Sequence, residues 1–565
     1  MDRQYKESKT ENNLRIIPLA GCEEVGRNMT VFEYGKDIVI LDMGLQFPEE
    51  DMPGIDYVIP NTEYLKGKEK NIKAVVFSHG HLDHIGAAPI LLKKLGNPQI
   101  IGRPLTIEMV KHRVEDSERN SSKKLKTIYV KDLQQKINLG SFTLSFFQID
   151  HTIMDAVGVI LQTPVATVIH PGDWSIEKNP VNREAIKYSH LAELKRPTIL
   201  MLESLGATNF KKPVTEVEML NNLYKLMGQA SGRTIIATFS SQIQRIKQIL
   251  EFAAKTGRKV VLDGFSMKLH VEIATKLGYV KIAKGVIITI DKAHNYPDNK
   301  VIIICTGAQG EEMAALSRIV AGNHKFIKLK KEDTVIFSSS VIPGNERTVQ
   351  RLKDNLYRLS DNVYHSDIID VHISGHSTVE GIKQMLRDIK ANYFIPVYGN
   401  HYFLKEAAKI AYEQGYSKDK VFVPDNGSII KFTGYKGEIL KEKVPSNYVF
   451  VDGLGVGDVG EIVLRDRQML AEDGMFVIVT IIDRKTGKVK SSPDIISRGF
   501  VYLRESKDLL AQTRRKVIEI VDKTAGHGGA VNWVYVKDEL RNKIGDFLFA
   551  KTERRPMILP VVIEV

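Results

Sequence analysis

The chain has 565 residues, too many for one hydrophobic core, and this length predicts three or four domains. Hydrophobic residues make up 43% of the chain, and no run of about 18 uncharged apolar residues occurs, which excludes a membrane-spanning helix. Two cysteines without metal-binding spacing exclude a disulfide framework, and the formal charge of +12 favours an anionic partner.

The N-terminal segment is polar and charged. Residues 1–13 are rich in Lys, Glu, Asn and Ser, which predicts a disordered lead and, because it is unlike a signal peptide, a soluble cytoplasmic protein. The fold is expected to begin at Leu14. Short β-rich runs separated by Gly and Asn turns follow, at Arg15 to Leu19, Met29 to Tyr34 and Asp37 to Leu41.

The densest group of metal-ligand residue types follows the apolar run Ala74 to Phe77. His79 and His81 flank a glycine, and a sharp turn there would let both imidazoles reach one ion. Asp83 and His84 would then point towards a second ion. A single histidine is usually a solvated side chain, but three imidazoles and a carboxylate within six residues predict a metal site.

The pattern His-x-His-x-Asp-His after a buried strand resembles the signature of the metallo-β-lactamase fold. Hydrolases of many substrates share that fold, so the resemblance implies metal chemistry without fixing the substrate. In the resembled fold an aspartate at an earlier strand end supports the metal loops, and Asp42 matches it. The alternative for Asp42 is an ordinary turn residue at the end of a strand.

Two further candidate ligands follow predicted strands. The run Phe142 to Ile149 leads into His151, and a hairpin of Ala156 to Leu161 and Ala166 to Ile169 leads into Asp173. Strand ends at one sheet edge converge, and the family order of cluster, His and Asp is preserved. We therefore expect His151 and Asp173 to be ligands, with Asp173 bridging two ions.

After Glu203 helix and strand patterns alternate, which predicts a mainly parallel sheet in an inserted α/β domain. The predicted helices are Thr215 to Met227, Ile243 to Lys255, His270 to Leu277 and Glu311 to Val320, and the predicted strands are Arg233 to Thr238, Lys259 to Leu262, Val301 to Cys305 and Thr334 to Ser338. The Gly-rich loop Thr306 to Gly310 either cradles phosphate or makes a β–α turn, and the turn is favoured.

Such an insertion, with Glu203 at its entry and the His-rich run Val371 to Ser377 at its end, resembles the β-CASP nucleases. More specific runs resemble the ribonuclease J family, and they are Ser339 to Glu346, the pattern His372-x-Ser374-Gly375-His376, Phe394 to Val397, Asp452 to Gly460, Pro493 to Val501 and Arg555 to Met557. The resemblance extends over nearly the whole chain from Arg15 onwards.

The C-terminal part begins after a Lys/Gly-rich segment that reads as a linker. Strands at Gly474 to Ile482 and Phe500 to Leu503, helices at Ser506 to Val521 and Val531 to Lys551, and an apolar terminal strand Met557 to Val565 predict a small α+β domain. In the resembled family this region mediates self-association, which implies a homodimer or homotetramer.

The predicted fold class is α/β: a metallo-β-lactamase αββα sandwich with an inserted β/α (β-CASP) domain and a small α+β C-terminal domain. The predicted boundaries are 1–13 for the lead, 14–210 and 368–431 for the two parts of the lactamase domain, 211–367 for the β-CASP domain, 432–449 for the linker and 450–565 for the C-terminal domain.

The resemblance assigns the ligands of two divalent ions, zinc or manganese. The first ion would take His79, His81, His151 and Asp173, and the second Asp83, His84, Asp173 and a histidine after the Phe-Ile-Pro-Val strand. Tyr398 stands at that last position, and a neutral phenol is a poor ligand, so the second site is weakened. His401 is a weaker candidate for the missing ligand, because an ordinary turn would point it elsewhere.

The resemblance also implies the substrate end of the site. His372, Ile373, Ser374, Gly375 and His376 would bind a 5′-terminal monophosphate, with Asp83, His376 and Glu203 as catalytic residues. Glu203 replaces the aspartate usual there, a conservative change for positioning a histidine.

Two functions follow from the resemblance. The first is an RNA hydrolase that works from 5′-monophosphate ends with some internal cleavage, in rRNA processing and mRNA turnover. The loss at Tyr398 resembles the second, less active paralogue of the family in Gram-positive bacteria, and it implies reduced activity. The alternative is an RNA-binding structural or regulatory subunit in a hetero-oligomer with an active paralogue. A lactamase or thioesterase is a poor third, since neither needs the insertion.

Overall fold

The structure is a computed structural model that describes residues 12–181, 183–311, 313–342, 344–484, 486–501, 506–525 and 532–565. The chain divides into two compact units, one of Met1–Gln46 and Ile59–Tyr448 and one of Phe47–Val58 and Val449–Val565. Within the described part of the chain, no helix combines the length and apolar character needed to cross a membrane. Residues 1–11 of the predicted lead lie outside the described residues.

The first unit begins with the strands β1 (Leu14–Ala20), β2 (Met29–Tyr34), β3 (Asp37–Leu41) and β5 (Ile72–Val76), whereas the intervening β4 (Tyr57–Ile59) lies mainly in the second unit. It continues with α1 (Leu82–Ile85), α2 (Ala88–Lys94), β6 (Ile100–Gly102), α3 (Pro104–Ser117), β7 (Thr127–Tyr129), β8 (Ile137–Leu139), β9 (Phe142–Gln148), β10 (Val157–Gln162), β11 (Thr167–His170) and β12 (Thr198–Glu203). After the insertion come α9 (Val379–Ile389), β18 (Tyr393–Val397), α10 (His401–Glu413), β19 (Ser428–Thr433) and β20 (Lys436–Lys443).

These strands form two sheets that pack face to face. The order in one is β20-β19-β1-β2-β3-β5-β6-β7 and in the other β18-β12-β11-β10-β9-β8. Residues from both sheets, such as Phe32, Val76, Val159 and Ile395, share one buried cluster. Helices α9 and α10 cover the outer face of the second sheet, where Ile382 and Ala407 pack with its residues. The sandwich of the predicted fold class is therefore confirmed.

The insertion comprises α4 (Glu216–Gln229), β13 (Thr234–Ala237), α5 (Ile243–Lys255), β14 (Lys259–Asp263), α6 (Phe265–Lys276), β15 (Val301–Cys305), α7 (Ala315–Val320), β16 (Thr334–Phe337), α8 (Glu346–Leu359) and β17 (Asn362–Tyr364). Its sheet has the order β14-β15-β13-β16-β17, and all of its strand pairs are parallel. Helix α4 begins with a capping box, because Thr215 Oγ1 accepts from Glu218 N and Glu218 Oε2 accepts from Thr215 N.

Two predicted helix starts in the insertion are wrong. Helix α6 begins at Phe265, earlier than the predicted His270, and α7 begins at Ala315, later than the predicted Glu311. The residues before α7 are fixed by the loop instead: Gln309 Nε2 donates to Ser340 O over 2.7 Å, and Gln309 Oε1 accepts from Ile342 N over 2.8 Å. These bonds tie the loop after β15 to the loop after β16.

The predicted linker 432–449 is corrected by the structure. Residues Lys436–Lys443 form β20, which pairs antiparallel with β19 through a turn at Gly434, where φ is +60°. The strand lies at the sheet edge and most of its residues are exposed, so its side chains are charged, as edge strands commonly are. That composition resembles a linker because neither has an apolar face.

The second unit contains β21 (Val449–Asp452), β22 (Gly455–Val456), α11 (Glu461–Glu472), β23 (Met475–Ile482), β24 (Asp494–Arg498), α12 (Lys507–Ala525), α13 (Trp533–Thr552) and β25 (Met557–Glu564). Helices α12 and α13 share a core with one face of the sheet β24-β23-β25, in which β25 runs parallel to β23. Phe47–Val58 joins this unit, where Asp56 N donates to Val451 O over 2.9 Å.

The predicted strand Phe500 to Leu503 is not found where the chain is described. The strand found in this part of the chain is β24, which ends before the predicted strand, at Arg498. Gly499, with φ at +73°, turns the chain out of the extended conformation before Phe500. Residues 502–505, which include the rest of that predicted strand, and Val531, the predicted start of the last helix, lie outside the described residues.

Candidate metal centre

Three imidazoles and a carboxylate meet at the edge of the sandwich where β5, β9 and β11 end. One ligand atom each from His79, His81, His151 and Asp173 lies within 4.8 Å of the others. His81 Nδ1 is 3.1 Å from His79 Nε2 and 3.0 Å from His151 Nε2, while Asp173 Oδ2 is 3.8 Å from His79 Nε2. The structure thus brings together the four side chains predicted for the first ion.

The imidazoles of this first ligand group are held neutral and oriented. Burial lowers the pKa of His81 to about 4, and burial together with His81 lowers that of His151 to about 3. His151 Nδ1 donates to Gly375 O over 2.8 Å, so the lone pair lies on Nε2, which faces the group. A Cβ at Gly375 would lie 2.7 Å from His151 Cε1, so only glycine permits this approach.

A second ligand group shares Asp173. One ligand atom each from Asp83, His84 and Asp173 meets within the same limit, with His84 Nε2 at 3.2 Å from Asp173 Oδ1 and 3.5 Å from Asp83 Oδ2. On the other side of the ring, His84 Nδ1 donates to Asp42 Oδ2 over 2.7 Å. A carboxylate behind a histidine in this way orients the ring and strengthens it as a ligand.

Asp42 is itself fixed by its surroundings. Its carboxylate accepts from Ser78 N and from Ser78 Oγ, each over 2.8 Å, and its φ is +63°. Burial acts to lower the pKa of His84, but the carboxylates of Asp173, Asp83 and Asp42 outweigh it and raise that pKa well above its ordinary value. Three carboxylates around one imidazole create a negative electrostatic potential, which favours the binding of a cation.

Tyr398 stands at the predicted position of the lost ligand, directly after β18. Its ring centroid is 5.4 Å from that of His84 and 5.1 Å from that of His170, and its φ is +56°. The hydroxyl is buried and has no hydrogen-bond partner among the described residues. Burial raises the pKa of Tyr398 further above 10, so the phenol is neutral and a poor ligand.

His401 does not reach the second ligand group. It is the first residue of α10, about half exposed, and its Nδ1 lies 3.2 Å from Asp425 Oδ1. Among the described residues, the groups able to hold a metal ion do not include it. The turn at Gly399 points His401 to another face, as the sequence predicts.

The residues predicted to bind a 5′ phosphate differ in how far they are exposed to solvent. Ser374 is exposed, and its Oγ accepts from His376 N over 3.2 Å, while Ile373 is half buried and Gly375 lies against His151. His372 is 8% exposed, and burial together with Arg245 lowers its pKa to about 3. The role of His372 as a phosphate donor stays a prediction, and its buried Nδ1 has no hydrogen-bond partner among the described residues.

His376 and Glu203 form a pair beside Asp173. His376 Nδ1 is 3.1 Å from Glu203 Oε1 and 4.0 Å from Asp173 Oδ2. Burial acts to lower the pKa of His376, but the Glu203 carboxylate outweighs it and raises that pKa to about 9. The imidazole is about a third exposed, and the raised pKa favours its protonated form, the form that can donate a proton.

Similarity to known proteins identifies the chain. Three family models match, the Metallo-beta-lactamase superfamily at residues 23–186, the Ribonuclease J beta-CASP domain at 231–356 and the Ribonuclease J C-terminal domain at 462–565. Ribonuclease J2 of Bacillus subtilis (strain 168) is 36% identical over 560 residues, which cover 99% of this chain and 100% of that protein. The chain belongs to the ribonuclease J family.

Other relatives agree with this membership. Ribonuclease J 2 of Staphylococcus aureus (strain MRSA252) is 36% identical over 561 residues, 99% of each chain. A crystal structure of a protein of unknown function from Enterococcus faecalis V583 has a TM-score of 0.52 and 15% identity, and the match covers 76% of this chain and all of that one, which supports the fold alone. Membership of the ribonuclease J family favours a nuclease over the alternative of a structural subunit.

The metallo-β-lactamase fold of this ribonuclease J family member implies divalent metal binding, and the residues present fit it. Three groups able to hold an ion share Asp173: the two described above, and Asp173 with Glu203 and His376. Neutral imidazoles and carboxylates are both ligands for zinc or manganese.

Two residues at this centre were missed by sequence reasoning. Ser241, before α5 of the insertion, places its Oγ 3.1 Å from His81 Nε2, and Asn28, before β2, places its Nδ2 3.1 Å from His84 Nε2. Both are distant in sequence from the histidine they contact. A lone Ser or Asn carries no ligand spacing, so only the fold reveals them.

Proposed function

We propose that the chain is a metal-dependent ribonuclease that degrades RNA from 5′-monophosphate ends and cleaves some RNA internally, in rRNA processing and mRNA turnover. The observation that carries this proposal is the pair of ligand groups joined at Asp173, in a chain of the ribonuclease J family. Two bound divalent ions would supply a nucleophilic water of lowered pKa and would neutralise charge on the reacting phosphate.

The chain's own residues supply the remaining steps. Asp83, the more exposed carboxylate of the second group, is placed to accept a proton from the attacking water. His376, held by Glu203, is placed to donate a proton to the leaving oxygen. Ser374 and the backbone at Gly375 line the approach for the 5′ phosphate, and the neighbouring His376 carries positive charge.

We further propose that activity is reduced because Tyr398 replaces a ligand of the second ion, and that this second ion is held weakly. A neutral buried phenol in place of an imidazole supports this reading. We also propose that the ions are zinc or manganese.

The assembly and location of the chain are also proposals. We propose self-association through residues 450–565, a hetero-oligomer with a ribonuclease J paralogue, and a cytoplasmic location. The apolar residues Leu559, Val561 and Ile563 alternate along β25 and are each about 40% exposed, which favours a covered sheet face. Light scattering of the wild type and of Val561→Glu tests this by measuring the mass of the particles in solution. The variant should have the lower mass, and equal masses would show that this sheet face is not the interface of self-association.

A single-turnover assay tests the proposed activity. The purified chain, with Mn²⁺ or Zn²⁺, is expected to shorten a 5′-monophosphorylated RNA labelled at its 3′ end. Asp173→Asn, which disrupts both ligand groups, is the matched control against a contaminating nuclease. Cleavage that persists unchanged in Asp173→Asn, or no cleavage by the wild type in excess metal, would reject the proposal.

A further inference from the structure

Asn28 occupies an unexpected position inside the second ligand group. Its side chain is 2% exposed, and Nδ2 lies 3.1 Å from His84 Nε2 and 3.4 Å from Asp83 Oδ2. His84 Nε2 also faces Asp173 Oδ1 at 3.2 Å, so Asn28 Nδ2 lies on the side of the His84 ring that faces the second ligand group. The head of the Asn28 amide therefore borders the second cation position itself.

The backbone fixes Asn28 at this place. Asn28 N donates to Asp83 O over 2.9 Å, and Asn28 O accepts from Gly44 N over 3.0 Å. A Cβ at Gly44 would lie 1.7 Å from Asp83 O and 2.6 Å from Asn28 N, so glycine is required for the three segments to approach. The Asn28 side chain is thus positioned by the same contacts that shape the loop carrying Asp83.

The amide oxygen of Asn28 is available. Oδ1 is buried and has no hydrogen-bond partner among the residues that the structure describes. An amide presents an oxygen and a nitrogen of nearly equal size, and a half-turn about its last torsion exchanges them. With a cation nearby, the half-turn replaces two N–H groups, which a cation repels, by a carbonyl oxygen, which it attracts.

Gly21 leaves room beside the Asn28 amide. Gly21 has φ of +91°, and a Cβ there would lie 2.5 Å from Asn28 Oδ1 and 3.1 Å from Tyr398 Cδ1. Any larger residue at position 21 would press on the Asn28 amide. Asn28 and Tyr398 therefore border the same backbone position, on the side of the site where the family ligand was lost.

We propose that Asn28 supplies its side-chain oxygen as the fourth protein ligand of the second cation, in compensation for Tyr398. The inference rests on the proposed function in assuming that a second cation binds there. The ligand set becomes Asp83, Asp173, Asn28 and His84, three oxygens and one nitrogen, whereas the first set has three imidazoles. Because oxygen ligands suit Mn²⁺ and imidazoles suit Zn²⁺, the second position prefers manganese.

A metal titration of the full chain tests this ligand. Metal-free protein is titrated with MnCl₂, and free Mn²⁺ is followed by its electron paramagnetic resonance signal. The wild type is expected to show a tight and a weak class of one ion each. Asn28→Leu should weaken the second class by about 10–100-fold, as loss of a group at a metal site does, while leaving the tight class. Asn28→Asp, which keeps an oxygen and adds charge, should hold the second ion at least as tightly as the wild type.

Tyr398→Phe is the matched control, because it removes the neighbouring hydroxyl and leaves the Asn28 amide. It should bind the second ion as the wild type does, and a loss equal to that of Asn28→Leu would assign the ligand to Tyr398 instead. Unchanged second-ion binding in Asn28→Leu overturns the proposal. If Asn28→Leu loses both classes, Asn28→Asp decides: retained binding supports the ligand, and its loss refutes it.

The outcome for Asn28 is separable from that of the proposed function. A wild type that fills both classes and loses the weak one in Asn28→Leu, yet cleaves no RNA, rejects the ribonuclease and keeps Asn28 as a ligand. Conversely, a wild type that cleaves RNA with unchanged metal binding in Asn28→Leu keeps the ribonuclease and rejects the ligand.

Discussion

Replacing Tyr398 by histidine should restore the ligand that the second cation lacks. The position can accept the change, because histidine tolerates the left-handed backbone that Tyr398 adopts at φ of +56° better than most residues do. The Tyr398 ring already faces His84, with 5.4 Å between the centroids, so an imidazole there lies beside the second ligand group.

The size of the effect follows from what the change adds and removes. Groups that merely support metal ligands are worth about 10–100-fold in affinity or activity, so a direct ligand should recover at least that much. The lost phenol costs little, because its hydroxyl has no hydrogen-bond partner among the described residues. A buried hydroxyl without a partner destabilises by about 1–3 kcal/mol, so Tyr398→His and Tyr398→Phe should both fold.

The assay compares wild type, Tyr398→His and Tyr398→Phe. Mn²⁺ titration measures the affinity of the second class, and single-turnover cleavage of 5′-monophosphorylated RNA measures the rate. Tyr398→His should gain in both by about 10–100-fold, and Tyr398→Phe in neither. Thermal unfolding of all three confirms that the folded fraction is equal.

One result would refute the reasoning. If Tyr398→His binds the second ion tightly and cleavage stays at the wild-type rate, the missing ligand does not limit the enzyme.

Three more predictions concern the same centre. After dialysis, elemental analysis should find about one ion per chain, since the second group has lost an imidazole, and two ions at full occupancy would show that the second site is complete. Exonucleolytic cleavage should be faster on 5′-monophosphate than on 5′-triphosphate RNA, because a compact pocket excludes two further charged groups. Equal rates on the two RNAs would contradict a monophosphate pocket at Ser374 to His376. Asp42→Asn should weaken metal binding by about 10–100-fold, because His84 Nδ1 loses its carboxylate, and unchanged second-class affinity in the Mn²⁺ titration would contradict that role.

Local chemistry made the first part of the centre predictable from sequence. His79, His81, Asp83 and His84 lie within six residues, so their ligand character and spacing are visible without the fold. Strands such as β3, β13 and β15 were also visible, because fully buried strands are apolar along most of their length. The position of Asn28 was not, since it meets His84 from 56 residues away through backbone pairing.

Other failures have physical causes as well. Strand β20 has no apolar face, because it lies exposed at a sheet edge, and its Lys and Glu residues therefore resemble a linker. The burial of His372 could not be predicted from its motif alone. Arg245 of α5 acts on the His372 imidazole electrostatically and donates from Nη1 to the neighbouring Val371 O over 3.0 Å, and these contacts join residues that are far apart in sequence.

The position of Asp173 limits which substitutions could weaken the proposed second cation site without weakening the first. Its carboxylate serves both ligand groups, so a mutation at Asp173 that discards the weaker ion also discards the tighter one. A chain under selection to keep the first ion can therefore shed the second only at residues that serve it alone, and residue 398 is one of these. Such a loss leaves Asp83, His84 and Asp42 in place, and the mutational path back to two strong sites stays short.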